Sequence, residues 1–191
     1  MELDADARRQ LLAIARRSIE AAVGAPNRAA ATAATADAMP DRLSEPAAAF
    51  VTIRERGELR GCIGLMRFDA PLWLNVRDAA RSAALEDWRF MPVAAAELPA
   101  LELEVSVLEP PIDLPDPAAF EVGRHGVIIE KGMHRGLLLP QVATEQGWNA
   151  EQMLDGVCGK ADLPAGAWRQ SSAHLQVFRS TCFSEADTAR E

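Results

Sequence analysis

The chain has 191 residues, 20 Lys+Arg against 28 Asp+Glu, a formal net charge of −8 and a pI near 5.0. At about 100–200 residues per domain, this is a single domain over 1–191 or two small lobes sharing a core. The 49% hydrophobic and 25% charged residues are the proportions of a globular chain with a buried core. The acidic balance, without a basic block, argues against nucleic-acid binding and against docking on an anionic membrane, since both need clustered Lys and Arg.

No apolar run approaches the roughly 20 residues that span a bilayer. The N-terminal stretch MELDADARRQ carries both charges and no apolar run behind it, unlike a secretory signal. Cys62, Cys158 and Cys182 lie far apart without a CxxC pair, which fits a reducing cytoplasm. With no Tyr, four Trp and six Phe, a base-stacking surface has little to work with.

Residues 4–23 read as a helix. Leu12, Ala15, Ile19 and Val23 recur at steps of three and four, Leu11 and Ile14 widen the stripe, Asp4 or Asp6 caps it, and Gly24 with Pro26 ends it. Residues 24–49 are rich in Ala and broken by Pro26, Pro40 and Pro46, and read as a surface connection. Phe50–Arg54 and Glu58–Met66 flank Arg56-Gly57 as a hairpin. Asp69-Ala70-Pro71 starts a helix from Leu72 to Leu85, with Asp69 as cap and Leu72, Val76, Ala79, Ala80 and Ala83 buried.

Leu101–Leu108 alternates as a half-buried strand, with Glu102, Glu104 and Ser106 on its polar side. Prolines 110, 111, 115 and 117 stiffen the next connection. Val127–Glu130 and Arg135–Leu139 form a second hairpin. Asn149 and Gln152 make a capping box for a helix that buries Met153, Leu154, Val157, Cys158 and Ala161. The last strand spans Leu175–Phe183, and 186–191 form a loose tail. Hairpins with intervening helices indicate an α+β fold on a mainly antiparallel sheet flanked by helices.

Leu59-Arg60-Gly61-Cys62-Ile63-Gly64 is the segment most suggestive of chemistry. Two glycines weaken a strand, so a close approach should require them. Period-two alternation puts Arg60, Cys62 and Gly64 on one face. A guanidinium beside a thiol could lower its pKa and hold an anion. The competing reading is a small buried cysteine beside a close-packed helix.

The hexapeptide resembles the signature of the AMMECR family, the AmmeMemoRadiSam system protein A of bacteria. Asp87-Trp88-Arg89-Phe90 with Pro92, the Leu103–Leu108 strand, Gly123-Arg124-His125-Gly126, Leu139-Pro140-Gln141-Val142, and Trp148 with Lys160-Ala161 and Leu163-Pro164 continue the resemblance in order, over about residues 8–185. Asp162 stands where the family usually has Gly. The resemblance implies a larger and a smaller lobe with a cleft between them lined by the hexapeptide. It also implies a Memo-like, dioxygenase-fold protein and a radical-SAM protein as companions. It names no reaction.

Within that frame the candidate catalytic residues are Cys62 as nucleophile or ligand, with His125 and Glu104 as acid/base groups. Arg60 and Arg135 are candidate anion clamps, with Gly61, Gly64 and Gln141 as further substrate-binding residues. Each has a plainer alternative. Glu104 could be a solvated strand residue or the ion-pair partner of Arg60, His125 a turn histidine bonded to backbone, and Arg135 a hairpin surface charge. Cys158 reads as core, Cys182 as core or edge packing, and Trp73, Trp148 and Trp168 as packing anchors. His134 and His174 read as exposed. The ligand spacing of a structural zinc is absent, and neither a P-loop nor GxGxxG is present, so no metal is expected and no cofactor is named. Two functions fit: an enzyme or enzyme component acting on a small anionic or carbonyl-bearing substrate, or a non-catalytic adaptor for a Memo-like or radical-SAM partner.

Overall fold

The computed structural model describes residues 3–24 and 41–188. Most of the expected 24–49 connection, and the end of the expected tail, lie outside the described residues. The fold is α+β, with two antiparallel four-stranded sheets flanked by helices. The chain forms two compact units, Met1–Val107 with Thr181–Glu191, and Leu108–Ser180. Each has its own hydrophobic cluster.

In the first unit, α1 (Ala5–Gly24) starts where Asp4 Oδ1 accepts from the Ala7 N–H at 2.8 Å, one of the two caps read from sequence. Its Leu11, Ile14, Ala15 and Ile19 are buried against the core. A short helix α2 (Asp41–Ser44) buries Leu43, and β1 (Ala48–Glu55) begins two residues before the Phe50 expected from sequence. Strand β2 (Glu58–Leu65) pairs antiparallel with β1, placing Thr52 opposite Cys62 and Ile53 opposite Gly61. Arg56 and Gly57 turn the hairpin with φ of 53° and 85°.

Helix α3 (Leu72–Leu85) packs on both strands and on α1. The expected Asp69 cap is corrected: Pro71 occupies the cap position with no side-chain cap, and the Leu72 N–H donates to the Glu45 carbonyl instead. Asn75, fully buried, donates to the Ala47 and Arg67 carbonyls at 2.7 and 2.8 Å, tying the β1 entrance to the loop before α3. A short 3-10 helix (Ala95–Ala100) leads into β3 (Leu101–Leu108). The sheet order is β2-β1-β3-β8, with β8 spanning Ser180–Ser184 and followed by a short helix, Glu185–Thr188.

The glycine in β2 answers to the helix behind it. A Cβ on Gly61 would sit 2.3 Å from the Ala83 carbonyl oxygen, so α3 can lie this close only on a strand with no side chain there. Gly64, on the other face, lies beneath the ring of its cross-strand partner Phe50.

The second unit is built on the order β4-β7-β5-β6, with β4 (Ile112–Asp113), β5 (Gly126–Lys131), β6 (His134–Leu138) and β7 (His174–Phe178). The expected hairpin is β5–β6, with Glu130 opposite Arg135. Helix α4 (Pro140–Gln146) precedes α5 (Ala150–Lys160), whose capping box forms as read, with both Asn149–Gln152 bonds at 2.9 Å. Cys158 is fully buried on the apolar face of α5. Asp162, where the family usually has Gly, adopts φ of 55°, a left-handed conformation that Asp tolerates better than most residues.

The single last strand expected over 175–183 is two strands. The run breaks at Arg179, so that β7 belongs to the second unit's sheet and β8 to the first unit's. Alternation reads continuously through such a break because each half keeps its own buried side chains, Leu175 and Val177 before it and Phe183 after it.

Candidate functional site

Because Gly61 and Ile53 face α3, alternation turns Cys62 and Thr52 to the opposite face of the first sheet. The Thr52 hydroxyl donates to Cys62 Sγ at 3.3 Å. On β3 the same face carries Glu104 and Ser106. On β8 it carries Cys182, because the neighbouring Phe183 points into the core. Ser106 and Glu104 of β3 are the side chains that act on the Cys182 thiol. Cys62, Thr52, Glu104, Ser106 and Cys182 thus share one face of the four-stranded sheet, with Thr52 directly opposite Cys62.

Burial pushes the Cys62 thiol pKa above its ordinary value. The bond from Thr52 and the charge of Arg89 work against that shift, while Asp87 and Glu104 reinforce it. Cys182 is an exposed residue whose sulfur is nonetheless sheltered against β3, and desolvation again raises its pKa. Both thiols are therefore protonated at neutral pH.

Arg60 is not placed to change this. Its guanidinium grips Glu97 with both arms, at 2.7 and 3.2 Å, and donates to the Met91 carbonyl at 2.9 Å. Its ion-pair partner is thus Glu97, rather than the Glu104 that the plainer sequence reading offered. The bond holds the Glu97 carboxyl below the usual carboxylate range. Arg60 pins the 3-10 segment and the loop before it to β2.

Sequence reasoning missed Asp87 and Arg89. β2 is an edge strand, and the backbone of Cys62 faces its open side. The Asp87 carboxylate accepts the Cys62 N–H at 2.9 Å, and Arg89 donates to the Cys62 carbonyl at 3.3 Å. The two side chains are joined at 2.6 and 2.9 Å, and together they stand in for a neighbouring strand. The Asp87 side chain is only 2% exposed, and Arg89, with the two N–H groups, lowers its pKa to about 2. The Asp87-x-Arg89 spacing was visible, but nothing local directs it onto Cys62.

The loop so braced presents two apolar side chains to solvent, Trp88 at 91% and Met91 at 81% exposure. The other three tryptophans are packed. Trp73 is buried, Trp148 lies over Gly156, and Trp168 donates to Asp155 at 2.7 Å.

The remaining sequence candidates belong to the second unit. His125 Nδ1 accepts the Glu121 N–H at 3.1 Å, and its ring meets Phe120 edge-on. Arg135 makes an exposed cross-strand pair with Glu130 at 3.1 Å, and Gln141 lies in the first turn of α4. A cavity of about 390 Å³ between the 113–117 and 168–175 segments contains none of these candidates. Among the described residues, no three His, Cys, Asp or Glu side chains converge as metal ligands, and no helix is long and apolar enough to cross a membrane.

The AMMECR1 family model matches residues 12–183, through both units. The chain belongs to the AMMECR1 family. A protein from Methanothermobacter thermautotrophicus is 40% identical over 189 residues, covering 96% of each chain. One from Thermococcus onnurineus is 40% identical over 185 residues, covering 92% of this chain and 88% of that one. The crystal structure of uncharacterized protein PH0010 from Pyrococcus horikoshii aligns with a TM-score of 0.83 at 35% identity, over 94% of this chain and 92% of that one. These likenesses identify family and fold, and none of the relatives' names states a reaction.

Proposed function

We propose that the protein is an enzyme or enzyme component that binds a small anionic or carbonyl-bearing substrate at the Arg60-Gly61-Cys62 segment, on the face of β2 that carries Cys62. The observation that carries this reading is that Cys62, Thr52, Glu104 and Cys182 share the sheet face opposite α3, with the Thr52 hydroxyl on the Cys62 sulfur. A half-buried glutamate sharing a face with two protonated thiols is an unusual use of a strand face whose only task is to be solvated. Cys62 acts first as a neutral S–H donor. It becomes a nucleophile only when its proton is taken as substrate binds, and Glu104, on the same face, is the residue that receives it. Asp87 and Arg89 hold the Cys62 backbone and so fix the direction of the thiol.

The test compares variants in a strain lacking its own copy of the protein. Cys62→Ser and Glu104→Gln keep the melting temperature within a few degrees and lose complementation. A destabilised but functional Cys62→Ser would leave a structural cysteine and sink the reading. In the free protein, iodoacetamide labelling of Cys62 has its midpoint above the ordinary thiol value of about 8.5, and a midpoint below it overturns the neutral-thiol step.

A second reading, the adaptor for a Memo-like or radical-SAM partner, is favoured by Trp88 and Met91, exposed on a loop that Arg60 and Arg89 hold rigid. Trp88→Ala separates the two. Lost complementation with Cys62→Ser still functional supports the adaptor, and the reverse supports the substrate site.

A further inference from the structure

We infer that His125 and Arg179 form a carboxylate-binding site in the second unit, in which neutral His125 donates from Nε2 rather than serving as a base. The Glu121 N–H donates to His125 Nδ1 at 3.1 Å, and the His125 N–H donates back to the Glu121 carbonyl at 2.9 Å. A neutral imidazole has one acceptor and one donor nitrogen. With Nδ1 accepting, the proton sits on Nε2, and the lone pair a general base would need is engaged by the backbone. The two reciprocal bonds and the edge contact with Phe120, 6.0 Å between centroids, hold the ring in one orientation. The residue therefore offers a fixed N–H, the form in which a neutral histidine polarises a carbonyl or binds an oxyanion.

The charges around the ring favour an anion. Arg124 is spent on Glu121 at 2.6 Å. Arg179, exposed at the break between β7 and β8, makes no side-chain hydrogen bond or ion pair among the described residues. Gly126 of β5 pairs with Phe178 of β7, so the flanking His125 and Arg179 lie at the same end of that strand pair, and the Arg179 charge bears on both Glu121 and His125. Arg124 and Glu121 cancel, so Arg179 leaves a positive spot on a chain of net charge −8. Burial keeps the ring neutral; Glu121 opposes this, and Arg124 and Arg179 assist it. A carboxylate fits the pair, one oxygen on Nε2–H and the other on the guanidinium fork.

This goes beyond the proposed function, because it names a ligand class for a site contained within the second unit. The test is made on the full chain labelled with nitrogen-15, with oxalate as probe. Long-range nitrogen–proton spectra at neutral pH show His125 bare at Nδ1 and protonated at Nε2. Oxalate shifts the His125 Nε2 resonance saturably, and Arg179→Gln weakens that binding by about tenfold while leaving the tautomer and the amide spectrum as they are. A proton on Nδ1 overturns the donor assignment, and a shift that fails to saturate, or saturates equally in Arg179→Gln, overturns the site. The Cys62→Ser complementation result stands or falls separately, so failure here is distinguishable from failure of the proposed function.

Discussion

The two units solve the same packing problem and use their polar faces differently. In each, a strand glycine lets a helix come down onto the sheet. Gly61 admits the Ala83 carbonyl of α3, and Gly136 admits the backbone of α5 at Val157 and Ala161. Around β2 and β3 the first unit encloses polar groups: Asp87 is buried, Arg60 and Glu97 are mostly covered, and Ser106 is buried outright, while its pairs on the helices, such as Arg9–Asp6, stay half exposed. In the second, Glu130–Arg135, His174–Asp113 and Arg124–Glu121 are all roughly half exposed or more. Enclosed pairs fix geometry because solvent cannot replace them, whereas exposed pairs are readily exchanged for water. The contrast marks the surroundings of Cys62 as the place where polar groups are held.

The glycines should show the largest effects. Gly61→Val and Gly136→Val are each expected to lose about 3 kcal/mol, the upper part of the range for overpacking, because the opposing atoms are helix backbone and cannot swing aside. Denaturant midpoints read this directly, and an unchanged midpoint for either variant would refute the close-approach account for that unit.

Asp87 tests the enclosed pairing. Its folded pKa of about 2 lies below the ordinary value of 3.8, so the stability it contributes is present above about pH 4 and lost as pH falls towards 2. Partial exposure of Arg89 discounts the amount to about 2 kcal/mol or less. Asp87→Asn should lose that much at pH 7 and converge with the parent near pH 2. Parallel stability curves through that window would show that the pair fixes nothing. The smallest effect is expected at Arg135→Ala, within about 0.5 kcal/mol at pH 7, as for an exposed pair. A loss above 1 kcal/mol by the same measurement would mean that the second unit also encloses its charges.

Much of the fold was legible because local rules agree with it. The α1 stripe, the Arg56-Gly57 turn, the alternation of β3 and the Asn149–Gln152 capping box each use neighbours within a few residues, and each forms. Even the reason for Gly61 was readable, since a glycine in a strand asks for a close neighbour. The site was legible in part: Cys62 and Glu104 come to one sheet face, and the side of each strand they occupy follows from alternation alone.

The sequence by itself determined element types, turn positions and the face each side chain takes, because these depend on periods of two and 3.6 residues and on backbone preferences at single positions. The tertiary structure alone decided which residues meet across long separations. It gave Arg60 to Glu97 rather than Glu104, brought Asp87 and Arg89 onto the Cys62 backbone, and divided one alternating run at Arg179 between two sheets. Charge pairing and strand order have no sequence period. They follow from which chain segments the packed cores bring within hydrogen-bonding reach.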